Sequence, residues 1–167
     1  MSRTVSLTAR TAFNAETTGE VPVFLITVDH DDLATPFRFS SDPTTRLSVD
    51  PLSYGTVSLG VTYNFLPIGM VMPDDSDEAP PAFRITIDNV AREMVPLLRS
   101  VDTPATVTIE MVLASDPDTI EVSWPEFDLI QADYDAQSVI IDLAIDSLVT
   151  EPYPFGRFSP SGFGGLF

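Results

Sequence analysis

Apolar and polar positions alternate with a period of two along several stretches of this chain, and each such stretch predicts a strand with one buried face. The clearest pair frames a different pattern. Phe83, Ile85 and Ile87 alternate with Arg84 and Thr86, and Val107, Ile109, Met111 and Leu113 oppose Thr106, Thr108 and Glu110. Between them Asp88 and Asn89 can accept the orphan N–H bonds of a helix start. Val90, Met94, Leu97, Leu98 and Val101 then recur at helical spacing, with Arg92, Glu93 and Arg99 on the other face. Strand, helix over about 90–100, strand is the expectation. Pro96 falls about two turns into that helix, lacks an N–H and crowds the carbonyl of Arg92, so a kink is expected there.

The remaining pattern is also mostly strand. Residues 5–16 place Val5, Ala9, Ala12 and Phe13 on one helical face, which predicts a short N-terminal helix. Residues 21–29 form an apolar, β-branched run and predict a well-buried strand. A turn at 29–32 and a short returning strand at 36–40 follow. Residues 41–52, with Pro43, Pro51 and many small polar side chains, read as loop. Val57, Leu59, Val61, Tyr63 and Phe65 alternate with polar residues and predict one strand ended near Pro67. Residues 68–72 are a short apolar piece of unassigned type, and 73–81, rich in acid and proline, are a solvated loop. Asp116 and Pro117 predict a type I turn over 115–119. A strand over 120–124 is expected to end, or to lie at an edge, at Pro125. Residues 126–133 and 138–148 make a final hairpin. The predicted fold class is β-rich α+β, an antiparallel split barrel or sandwich carrying the helix at 90–100 and the N-terminal helix at 5–16.

The last stretch breaks every period. Residues 151–167 read EPYPFGRFSPSGFGGLF and cannot form a core of their own. They divide the chain into a single β-rich domain, 1–150, and an extended arm. The arm is either a strap over its own domain or a contact with a neighbouring subunit through Tyr153, Phe155, Phe158, Phe163 and Phe167.

Length and charge narrow the function. The chain has 167 residues, a one-domain length with room for a sizeable core. No apolar run is long enough to span a membrane, and the first residues lack the apolar stretch of a secretory signal, so synthesis in the cytoplasm is expected. The formal charge is −17, with 25 acidic residues against eight basic ones. All the basic ones are arginine. Such a surface repels phosphate backbones and anionic membranes, which argues against groove-reading of nucleic acid and against membrane binding. There are no cysteines, so disulfides, thiol catalysis and Cys-ligated metals are excluded together.

Enzymatic chemistry finds little to build on. His30 is the sole histidine, in a turn expected at the surface, and no nucleophile elbow or phosphate-cradling glycine loop is present. No catalytic residue, cofactor site or metal ligand is assigned, and the chain reads as non-enzymatic. Asp29, Asp31 and Asp32, and Asp74, Asp75, Asp77 and Glu78, are oxygen-rich clusters of the kind calcium uses, but neither follows the spacing of a calcium loop.

Three stretches carry a family resemblance: FRITIDNVAREM (83–94), EMVLASDPDTIE (110–121) and the terminal 151–167. Together they resemble a family of small tail-tip proteins of long-tailed bacteriophages, catalogued mainly as a domain of unknown function. Weaker echoes, such as Tyr63-Asn64-Phe65 and the loop at Pro73, extend the similarity over nearly the whole chain. Pro96 and the Gly-Phe-Gly-Gly ending depart from the family pattern. The resemblance implies a structural protein of the virion. It would be a distal-tail or baseplate-hub-like subunit, in a trimeric or hexameric homo-oligomeric ring closing the tail tube around the DNA channel. Tail tube, tape measure, hub and central fibre would be its neighbours, and DNA would only pass through. An acidic lumen suits that passage. The leading alternative is a calcium-stabilised, carbohydrate-binding β-sandwich module of a surface or tail protein.

Overall fold

A computed structural model describes residues 5–71, 82–88, 104–135 and 138–144. Helix α1 (Leu7–Asn14) comes first, followed by β1 (Pro22–Asp29), β2 (Phe37–Ser40), β3 (Thr45–Val49), β4 (Leu52–Ser58), β5 (Val61–Phe65) and β6 (Ile68–Val71). Next come β7 (Ala82–Asp88), β8 (Thr106–Leu113), β9 (Asp116–Tyr134) and β10 (Ser138–Ala144). The strands form one ten-stranded open sheet in the order β3-β4-β5-β2-β1-β8-β9-β10-β7-β6. Its ladders are antiparallel except β2 with β5, a short parallel pairing of Phe39 with Asn64 and Ser40 with Phe65. The β-rich class and the N-terminal helix are as expected. The helix expected at 90–100, the kink at Pro96, the loop at 73–81 and the arm at 151–167 lie outside the described residues.

Two residues make the sheet curl. β5 and β6 are separated only by Leu66 and Pro67. The Leu66 N–H donates to the Ser40 carbonyl at the end of β2 (3.0 Å), and the Asp88 N–H at the end of β7 donates to the Pro67 carbonyl (3.1 Å). One short segment thus runs beside β2 and then beside β7, although four strands separate these two in the ladder order. The intervening sheet must bend round to meet it. The period-2 apolar faces line the inside: Phe83, Ile85 and Ile87 of β7 join Val107 and Ile109 of β8 and Ile26 and Val28 of β1 in one core cluster. At its centre the Phe83 ring meets Trp124 (centroids 5.5 Å apart) and Phe127 (5.0 Å), both edge to face.

Three strands differ from expectation. β3 lies inside the stretch read as loop, because its TRLSV sequence has no buried face to pattern it and pairs only with β4. The single strand expected from Val57 to Phe65 is a hairpin. Ser58 pairs with Val61 across Leu59 and Gly60, whose positive φ angles of 49° and 78° match a type I′ turn. Gly60 suits that turn, whereas Leu59 hid it by continuing the alternation. The third difference is β9, a strand of 19 residues that runs through Pro125; the turn expected over 115–119 stands at 114–115, closed by the Leu113–Asp116 pair, and β9 begins directly after it. Val107 faces Phe127 and Ile109 faces Trp124, so Pro125 and Glu126 together stand opposite Thr108. Such a two-against-one bulge leaves a residue outside the ladder and admits proline into a strand paired on both sides.

Helix α1 is held by a polar anchor. The Ser6 hydroxyl accepts from the Ala9 N–H (3.1 Å), capping the helix, and donates to Glu121 of β9 (2.6 Å). The Ser6 backbone N–H donates to the other Glu121 oxygen (2.6 Å). Glu121 is buried, as are Ala9 and Ala12. Phe13, expected on the buried face, is 51% exposed. The helix approaches through its alanines and its capped end, so the larger apolar side chains Leu7 and Phe13 stay outside.

Candidate functional site

The acidic turn does not build a metal centre. Asp29 accepts the His30 backbone N–H at 2.9 Å, and the Asp32 N–H donates to His30 Nδ1 at 3.0 Å. The Asp32 carboxylate lies 3.6 Å from that same nitrogen. The imidazole is only 4% exposed, a correction to the surface position expected: it packs inward and accepts the Asp32 N–H, while the Asp29 carboxylate holds the His30 N–H. Among the described residues no group of three or more acidic or histidine side chains converges as a metal site. The cluster at 74–78 lies outside them.

Two carboxylates of the sheet, Glu121 and Glu110, are drawn away from solvent. Glu121 is used by the helix anchor. Glu110, in the middle of β8, is flanked in register by Leu25 and Ser123, and burial raises its carboxyl above the ordinary range. Such a group opposes folding when ionised. The opposition is absent below the ordinary glutamate pKa, grows as pH rises through the folded-state value, and is complete above it. Glu110→Gln should therefore be more stable than the parent at about pH 7, with the gain fading towards about pH 4. Paired thermal melts at the two pH values check this, and an equal gain at both would contradict it.

The most distinctive surface lies on β2, β4 and β5. Phe37, Arg38 and Phe39 of β2, Leu52 and Tyr54 of β4, and Asn64 and Phe65 of β5 line an open groove of about 720 Å³, with Pro36 and Pro51 at its margins. Phe37 and Phe39 stack with centroids 6.3 Å apart. Phe39 is buried and ties the groove floor to the main core. Leu52 is 61% and Tyr54 40% exposed, and Val49, Val57 and Leu59 are exposed on the same three-stranded wing. Polar groups beneath the wing are satisfied: the buried Ser40 and Thr56 hydroxyls bond each other at 2.7 Å. The hairpin tip is pinned as well, with the Leu59 N–H donating to Asp118 at 2.6 Å. The sequence pattern does not reveal this surface, since it forms only where β2, β4 and β5 come together, and Pro51 and Leu52 fall in the stretch expected as loop. Aromatic and proline residues at 36–39 and 51–54 were the available signal. The five aromatic residues predicted as subunit contacts, Tyr153, Phe155, Phe158, Phe163 and Phe167, lie outside the described residues.

One curled sheet, with outer strands each paired on one side among the described residues and an aromatic groove on one wing, defines a β-rich module. The chain belongs to the family described as a domain of unknown function, DUF1833, which matches residues 8–158. A search of curated proteins found no match to this chain.

Proposed function

We propose that this protein is a non-enzymatic structural subunit of the tail tip of a long-tailed bacteriophage, placed in a ring that closes the tail tube around the DNA channel. The observation that carries the reading is the curled sheet with β3 at one margin and β6 at the other. Ring subunits bind head to tail through two different surfaces, and a sheet with two unlike margins offers such a pair. The three sequence stretches that resemble the tail-tip family support the same reading. So does the charge of −17, which keeps passing phosphate from adhering to the wall.

Two measurements on the intact chain test it. Light scattering should give a mass of three or six copies, and electron microscopy of particles carrying an epitope-tagged chain should place the label at the tail tip. A chain that stays monomeric at every concentration and is missing from purified particles would sink the proposal.

A further inference from the structure

We infer that the groove on β2, β4 and β5 is the seat for the terminal segment 151–167 of a second copy of this chain. The inference rests on the ring reading only in taking its donor to be another subunit. Three observations converge on this occupant.

Composition is the first. An open groove walled by phenylalanine, tyrosine, leucine and proline suits an extended, proline-ordered ligand with large apolar side chains, because such a ligand loses little entropy on binding. Tyr153-Pro154-Phe155 and Phe158 supply that chemistry within six residues. Charge is the second. Two copies at −17 repel each other, yet Glu151 and Arg157 cancel within the segment, which can approach an acidic neighbour without that penalty.

Exposure and reach are the third. Leu52 is 61% exposed and Tyr54 40%, so apolar surface of the groove is open to a ligand. The described chain ends at Ala144, and 23 residues follow it. At roughly 3.3 Å per residue these can span on the order of 70 Å, more than the width of a domain this size. The segment is long enough to reach a neighbour.

The absence of natural cysteine makes disulfide trapping a direct test on the full-length chain. One preparation carries Leu52→Cys or Thr62→Cys, both at exposed groove positions. The other carries Gly156→Cys, between the Phe155 and Phe158 anchors and leaving both intact. Mixed under mild oxidation, the pair should form a chain-to-chain disulfide roughly a hundredfold faster than Gly156→Cys mixed with Leu7→Cys on the exposed face of α1, because a seated segment holds the thiols at high effective concentration. Adding Phe155→Ala and Phe158→Ala to the Gly156→Cys chain should remove the advantage. No excess over the Leu7 control overturns the inference. An exclusively intramolecular disulfide in a chain carrying Leu52→Cys and Gly156→Cys overturns it in favour of a strap on the same subunit. Failure here with label still at the tail tip would leave the ring reading standing. Trapping in solution with no label on particles would do the reverse.

Discussion

Replacing Phe83 by alanine is expected to lower the unfolding free energy by about 3–5 kcal/mol, the range for deleting a fully buried aromatic ring. Phe83 is 1% exposed. Its ring stands edge to face against Trp124 and Phe127 of β9, so its loss removes both contacts and leaves a cavity where β7 and β9 face each other. The surroundings can close little, because Ile85, Ile109 and Val139 are themselves almost fully buried in the same core. Phe83→Leu, which keeps most of the volume, should cost markedly less. Urea titrations of the three proteins at equal concentration check the order. A Phe83→Ala protein with an unchanged midpoint would mean that the curl is not held by this core.

The second large effect is expected at Gly55. A Cβ built there overlaps the backbone carbonyl oxygen of Tyr63 and comes within 2.8 Å of Leu47 Cδ1. Leucine can rotate away, but a carbonyl in a paired strand cannot. Gly55→Ala must therefore force β4 from β5 at the Gly55–Asn64 pair, at a cost of about 1–3 kcal/mol. The damage should be local. Amide exchange at Thr56 and Tyr63 should accelerate while Ile85 and Ile109 stay protected, since they belong to the main core. Gly19→Ala, where a Cβ meets nothing within 4 Å, is the neutral comparison. Uniform loss of protection in the Gly55 variant would show that the wing and the main core unfold as one unit. Because the groove is built on this wing, the variant should also lose the trapping reaction while the core persists.

How legible each element was depended on whether its burial is local or distant. Phe83, Ile85 and Ile87, Val107 and Ile109, and Val139, Ile141 and Leu143 are all buried as their alternation predicts. In β10, Ile140 is 37% exposed on the opposite side, also as expected. These strands have one face in the main core, and a period of two records that in the chain itself. β3 has no such face, with its residues exposed or partly buried, so nothing distinguished it from a proline-bounded loop. Leu59 illustrates the converse error: its apolar side chain fits the alternation, yet it sits at a hairpin tip and is 64% exposed. Pro125 predicts an edge or an end because a proline cannot donate to a ladder. The bulge opposite Thr108 removes that requirement.

The candidate surfaces divide in the same way. The acidic turn is visible as a cluster of aspartates, but whether its carboxylates converge depends on backbone geometry, and here Asp29 caps the His30 N–H while no metal-holding group forms among the described residues. Glu121 looked like one of many acidic residues in an acidic chain. Only the arrival of Ser6, 115 positions away in sequence, makes it an anchor.

What the amino-acid pattern determined by itself was the β-rich class, the inner faces of β1, β7, β8 and β10, the short N-terminal helix, the acidic surface and the apolar, charge-balanced terminal segment. Each is a property of neighbouring residues, set by side-chain period, propensity or net charge. What only the tertiary structure decided was the ladder order, the curl imposed by Leu66 and Pro67, the inward packing of the His30 ring, and the groove assembled from β2, β4 and β5. Those follow from which strands meet. β1 pairs with β8 across some eighty residues of sequence, and no local pattern specifies a partner so far along the chain.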